Sequence, residues 1–448
     1  VSAQSDFGEG GVVSYRKVLG HREFLGVIVA QAVSETGDQI ARIALAMIVL
    51  QRTGSAFGAA AAFAVSFLPM FLGSAVLGPI ADRLSRRTVM LVADLARALL
   101  IAFFALVAVN TTPLWLMFTL LFFAELFTPA FDASRTATIP DVLTDPAECA
   151  AGFGLSRTIS LVTQVLGLII GGTVIGLLGA RAALYFDAAT FVVSFIVILI
   201  MVKRRPAAIA GGASLLSLIG DAREGYQQIK SDTRRRSLLF LALAASLAVV
   251  APEALALPYA RGLGASDAMG AVLLATVLAG AAVGSVVVAR QRPLRQIARV
   301  QILALASAAV LLLMAPAPPL LVTVLIFAMS GLLQAFLVPC MAFMTLLTPS
   351  DQRGRISGLS SAAWALATVV AFLFSGLVAD LTSPAFSVVL CASISLVLIL
   401  LVTHRWPARS LRESVAQLSR VKLPESSTDE PSYGQALAEV DQSRAMQR

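Results

Sequence analysis

Histidine, cysteine and charge are all scarce in this chain, and each shortage removes a class of function. The 448 residues hold two His, His21 and His404. Neither sits in a nucleophile–base pairing, phosphate-binding loop or metal-ligand spacing, so the chain does not read as an enzyme, and no metal or cofactor is expected. The three Cys, Cys149, Cys340 and Cys391, are far apart in sequence. That spacing suits neither a disulfide framework nor a zinc site, and they are expected in the core. Charged residues make up 13%, against about 25% in an ordinary soluble domain. In their place stands a 58% hydrophobic content, more than a soluble core can hide and well suited to a bilayer.

The net charge of +8 would indicate nucleic acid if the Lys and Arg formed one face. They gather instead in short loops between apolar segments, so no nucleic-acid partner is expected and the charge reads as membrane orientation. Apolar segments lie at 24–50, 55–81, 88–109, 113–138, 152–178, 182–202, 238–261, 267–289, 296–315, 320–347, 356–381 and 384–403, which predicts twelve spans. Loops on one side carry Arg83, Arg86 and Arg87, then Lys203 to Arg205 with Arg234 to Arg236, then Arg290 to Arg299, then Arg353 and Arg355. The positive-inside rule therefore expects a multi-pass protein of the cell membrane with both termini in the cytoplasm. Residues 1–22 are polar, without a short apolar run and cleavage site, so the first span is expected to act as the address.

The longest internal loop, 203–237, separates 23–202 from 238–404, six spans each. Within it, Leu215 to Lys230 places apolar residues at helical spacing, which fits an amphipathic surface helix or a basic linker. Residues 405–448 form a polar tail expected to be disordered. Across the loop, Gly154-Leu155-Ser156 recurs as Gly358-Leu359-Ser360, and Gly172 matches Gly376 at the same offset. Pro129 and Pro140 likewise correspond to Pro339 and Pro349. The shared order predicts two pseudo-symmetric six-helix bundles in an all-α integral membrane protein, with a site between them near the midplane.

The second and third spans are joined by Gly78-Pro-Ile-Ala-Asp82-Arg83-Leu-Ser-Arg86-Arg87. This resembles the loop signature of the major facilitator superfamily, with Ser85 where a second Gly is usual. Phe131 to Asp141, Asp187 to Ser194 and Arg353-Gly-Arg355 are similar to the enterobactin-exporter and macrolide-efflux branch. The resemblance implies that Gly78, Asp82, Arg83, Arg86 and Arg87 form an inner latch. Asp82 would sit at the N-terminus of the eleventh span, where a helix is partly positive, and an Arg would reach Asp132; topology alone is the alternative reading of these arginines. Gly167, Gly171 and Gly172 keep the small residues of the family's antiporter signature, which suits close helix packing, although its Pro is missing.

Within the first span, Gln31, Glu35, Asp38 and Arg42 fall within about 60° of one another on a helix. Glu35 lies roughly 16 Å in from Phe24, where carboxylates are costly unless they line water or meet partners. Arg42, four residues from Asp38, is expected to pair with it, leaving Glu35 as a proton carrier unless Arg157 or Arg97 neutralises it. Glu125, with Thr128 and Asp132, and Glu253, between Pro252 and Pro258 in a span expected to bend, add further carboxylates. Phe63, Phe67, Phe123, Phe127, Tyr259 and Trp364 are candidate cavity walls. The leading reading is a secondary transporter, expected as a monomer with lipid, protons and a small-molecule substrate as its partners. It would export a drug-, macrolide- or siderophore-like solute by proton-coupled alternating access, the direction resting on the resemblance. A lipid-moving or non-transporting protein on the same fold, or a solute importer, is the alternative.

Overall fold

The computed structural model describes residues 15–81, 84–108, 111–205, 226–348 and 353–420. These residues are helical between short turns, without a strand among them. Twelve long helices follow in order: α1 (Arg22–Thr53), α2 (Ala56–Ala81), α3 (Arg86–Val107), α4 (Leu114–Val142), α5 (Pro146–Leu178), α6 (Ala180–Met201), α7 (Thr233–Gly262), α8 (Asp267–Ala289), α9 (Pro293–Met314), α10 (Leu320–Leu346), α11 (Arg353–Leu381) and α12 (Pro384–His404). Ten of them are long and apolar enough to cross a bilayer. α1 falls outside that group because of its polar stripe, and α2, whose described apolar stretch is Ala56–Pro69, is 26 residues long.

Local chemistry sets the helix ends. Ser85 caps α3 by accepting from Thr88 N at 3.3 Å, and Asp232 caps α7 by accepting from Arg234 N at 2.8 Å. α1 stops at Gly54, whose φ of 68° is left-handed and whose N–H returns to Leu50 O at 2.9 Å; a glycine takes that conformation without steric cost. The repeat is visible in the backbone. α4 is interrupted at Phe127, two residues before Pro129, and α10 turns 3-10 over Gln334–Phe336, just before Pro339. Each Pro removes a donor and crowds the carbonyl four residues back. In α7, by contrast, Pro252 and Pro258 lie inside one uninterrupted helix.

Helices α1 to α6 form one bundle and α7 to α12 the other, with α1 packed on α5 and α6, and α7 on α11 and α12. The halves meet chiefly along two pairs, α2 with α11 and α5 with α8, and α7 also packs on α2. Two glycines of the internal repeat, Gly172 and Gly376, sit in these two seams. A methyl group on Gly172 of α5 would overlap Ala271 of α8, and one on Gly376 of α11 would lie 2.7 Å from Ala60 Cβ of α2. Small residues let backbones approach where apolar packing, not water, must hold helices together. Facing outward are large apolar side chains such as Leu99, Trp115, Leu177 and Leu401, exposed as a bilayer requires.

The tail expected to be disordered begins with a further helix, α13 (Ala408–Arg420), which packs on α9. Leu411 and Val415, one turn apart, are its buried stripe, and Ser414 Oγ accepts from Arg234 at 2.8 Å. Of the amphipathic segment in the 203–237 loop, 226–231 is helical with Ile229 buried; 206–225 lies outside the described residues.

Candidate functional site

The polar stripe of α1 is the hub of the amino-terminal bundle, and its members reach in different directions. Gln31 and Glu35 face α5. Gln31 Nε2 donates to Ser156 O at 3.0 Å and Ser160 Oγ at 2.8 Å. Glu35 accepts from Gln31 at 3.0 Å, Ser160 at 2.8 Å and Thr163 at 2.9 Å. Its nearest cation is Arg135 of α4, 3.9 Å away, rather than Arg157, which is exposed, or Arg97. Arg135 in turn donates to Ser156 Oγ at 2.7 Å and to Asp132 at 3.1 Å.

The expected Asp38–Arg42 pair is not formed. Asp38 is paired with Arg97 of α3, which also donates to Ser34 Oγ at 3.3 Å. The Arg97 guanidinium lies over the Phe191 ring at 4.1 Å, a cation–π contact inside the bundle. Arg42 instead crosses to α4, where its Nε donates to Glu125 Oε1 at 2.8 Å, while Glu125 Oε2 accepts from Thr128 at 3.1 Å. Spacing of i, i+4 permitted the pair within α1, but a partner on a neighbouring helix lets each guanidinium keep a direct line to its carboxylate.

Two further carboxylates complete the network. Asp94 accepts from Ser194 Oγ at 2.6 Å, and Asp187 sits beside Thr190 on α6. Asp94 Oδ1 and Asp187 Oδ2 are buried without a hydrogen-bond partner among the described residues. Gly37 makes the approach of Asp187 to the stripe possible, since a methyl group there would overlap both Asp187 Oδ1 and Thr190 Oγ1. Gly167 and Gly171 do the same for α5: methyl groups would come within 2.8 Å of Thr36 O and 3.2 Å of Ile40 Cα.

Between the bundles lies a cavity of about 190 Å³. Its polar members are Gln39 and Arg42 of α1, Gln164 of α5, Glu253 of α7 and Thr368 of α11, and its walls include Phe63, Phe67, Trp364 and Phe372. The volume is below the ~300–1,000 Å³ of drug-sized sites. The other candidate walls lie elsewhere: Phe123 faces outward, Phe127 packs with the Met90 and Phe131 cluster, and Tyr259 donates to Pro318 O at 2.6 Å.

The loop arginines also choose other partners than expected. Arg86 pairs with Asp141 and Arg87 donates to Leu199 O at 2.7 Å, while Asp132 goes to Arg135. Gly78 lies on α2; Asp82 and Arg83 lie outside the described residues. Among the described residues no group of three or more His, Cys, Asp or Glu is placed to hold a metal. Arg135 and the α5 ladder of Ser156, Ser160 and Thr163 join the site without having been singled out for it by sequence. Their spacing of four and three residues was the signal: a polar stripe on an otherwise apolar helix faces a polar neighbour.

Known proteins resemble this chain in sequence and in architecture. The "Multidrug efflux pump Tap" of Mycolicibacterium fortuitum is 26% identical over 373 residues, covering 79% of this chain and 88% of the relative. The protein of that name from Mycobacterium tuberculosis is 29% identical over 185 residues, 38% of this chain and 42% of the relative. In fold, the crystal structure of a mutant of the nucleoside transporter NupG superposes with a TM-score of 0.67 at 15% identity, covering 85% of this chain and 99% of that one. Residues 27–341 match the sequence profile of the Major Facilitator Superfamily, and with twelve helices in two bundles around a shared cavity, the chain belongs to that family of transporters.

Proposed function

We propose that this chain exports a small organic solute with an apolar body, driven by proton entry and alternating access. The observation that carries the reading is the cavity between the bundles, into which α1 and α7 bring Arg42 and Glu253 from opposite halves. Arg42 is tied to Glu125, and through α1 to the carboxylates at Glu35 and Asp38. A charge change on any of these acids alters the balance of a network buried in a low-dielectric wall, which is how protonation can bias a two-state structure. Glu35 and Asp38 are the coupling carboxylates in this reading, and Glu125 and Glu253 touch the solute or assist. Aromatic walls at Phe63, Phe67 and Trp364 suit a drug-, macrolide- or siderophore-like body. The efflux direction draws support from the relative named as a multidrug efflux pump.

The same reading assigns a monomer in the cell membrane with both termini in the cytoplasm, bundles 23–202 and 238–404, and an inner latch around Asp82. Purified protein in lipid vesicles with an imposed pH gradient provides the test, using a panel of siderophores, macrolides and cationic dyes. Gradient-dependent movement of at least one class is expected. A wild-type protein that moves none of them, or that moves lipid equally well without a gradient, sinks the reading.

A further inference from the structure

On the face opposite the Arg86 loop, the carboxyl-terminal half holds both helix ends of the α1–α2 turn. Asp380, in the last turn of α11, reaches across to the start of α2. Its Oδ1 accepts from Ala56 N at 2.6 Å, and its Oδ2 accepts from Ser55 Oγ at 2.6 Å and Phe57 N at 3.2 Å. A carboxylate there satisfies N–H groups that have no partner within their own helix, and it meets the positive end of the helix dipole. Beside it, Arg261 at the end of α7 donates to Leu50 O, in the last turn of α1, at 2.8 Å. A cation is favoured at that end. An acid from one helix and a base from another are thus each matched to the helix end they suit, and both cross between the halves.

The contact continues below Asp380 as a stripe with a spacing of four residues. Gly376 lies against Phe57 and Ala60, and Phe372 stacks on Phe63 and Phe67 with ring centres 5.6 and 5.7 Å apart. Phe372, Gly376 and Asp380 therefore form one face of α11 seated on α2. Phe372 also walls the cavity, so separating this seam would open the cavity on this face.

We propose that Asp380 is the latch of the outer gate: its cap on α2 holds the two halves together on this face, and its release lets the cavity open there. The inference rests on the alternating-access reading above. It is tested by electron–electron distance measurement in the full chain, with Cys149, Cys340 and Cys391 replaced by Ala and spin labels at Thr111 and Ala315. Both positions are exposed at this face, one in each half. Losing a charge-assisted cap changes the ratio of open to closed forms roughly fivefold. Asp380→Ala is expected to raise the long-distance population relative to the short-distance one by that factor, and Asp380→Asn and Ser55→Ala by less. The two milder variants carry the measurement if Asp380→Ala does not fold. A distribution identical to wild type overturns the latch, as does lowered thermal stability with unchanged distances, which would make Asp380 a folding contact alone. A distance shift in a protein that shows no gradient-driven transport upholds the latch and removes only the transport reading.

Discussion

Asp38 of α1 and Arg97 of α3 are joined inside the amino-terminal bundle, with Arg97 1% exposed and stacked on Phe191. Removing one charge of a buried pair leaves the other without compensation, at a cost of about 3–5 kcal/mol. Asp38→Asn is therefore expected to lower the unfolding midpoint in detergent strongly, and Asp38→Asn with Arg97→Gln to recover part of the loss. A single variant as stable as wild type would show that the Asp38–Arg97 pair does not hold the bundle together.

Glu35 responds differently. Its three close donors, from Gln31, Ser160 and Thr163, are all neutral; a Gln amide oxygen at the Oε1 position still accepts from Gln31 and Ser160, and its N–H can donate to Thr163 Oγ1, whose own hydrogen has Ile159 O at 2.9 Å. Glu35→Gln is expected to fold normally and to lose proton-driven transport by about tenfold or more, the scale of 1.4 kcal/mol. Solute flux measured with and without a pH gradient decides the matter; driven flux equal to wild type would remove Glu35 from coupling.

Gly37 brings α1 into close contact with α6. Adding one methyl group there overlaps Asp187 and Thr190, and overpacking of this kind costs about 1–3 kcal/mol. Gly37→Ala should lower thermal stability, whereas Gly262→Ala, with nothing within 4 Å of the added methyl, should be near neutral. Equal midpoints for the two variants would contradict the packing described.

A pH effect is expected at the surface, where Glu148 precedes the apolar part of α5 beginning at Ala151. The hydrogen bond from Lys17, at 2.8 Å, holds the Glu148 carboxyl below its ordinary value of 4.5, outweighing partial desolvation; His21 at 3.1 Å adds to the effect. A lowered acid pKa means the contact is complete above 4.5 and is lost as pH falls through the depressed value. Hydrogen exchange in the helix Tyr15–Leu19, corrected for intrinsic rates, should rise over that acidic range in wild type. In Glu148→Gln it should be raised already at neutral pH. No difference between the two proteins at neutral pH would refute the tie.

Much of the fold was legible because a bilayer imposes simple rules. Twelve apolar segments became twelve long helices, since a backbone in hydrocarbon must satisfy its own hydrogen bonds. The matched Pro129 and Pro339 fall at matched helix breaks, and the matched Gly172 and Gly376 fall in the two seams between the halves. Partner choice was less legible. Sequence spacing offered Arg42 to Asp38, but the neighbouring helices place Arg97 and Glu125 where each charge finds a better partner.

What the sequence determined by itself was therefore the architecture and the residues of the α1 stripe, because burial in lipid depends on composition and period. What only the tertiary structure decided was which charges meet. Asp38 with Arg97, Arg42 with Glu125, and Asp380 with the start of α2 join residues 59, 83 and 324 positions apart in the chain. Arg135 reaches Glu35 from another helix in the same way. Such pairs follow from helix rotation and crossing, which are fixed by packing across the whole bundle and leave no local periodic signal.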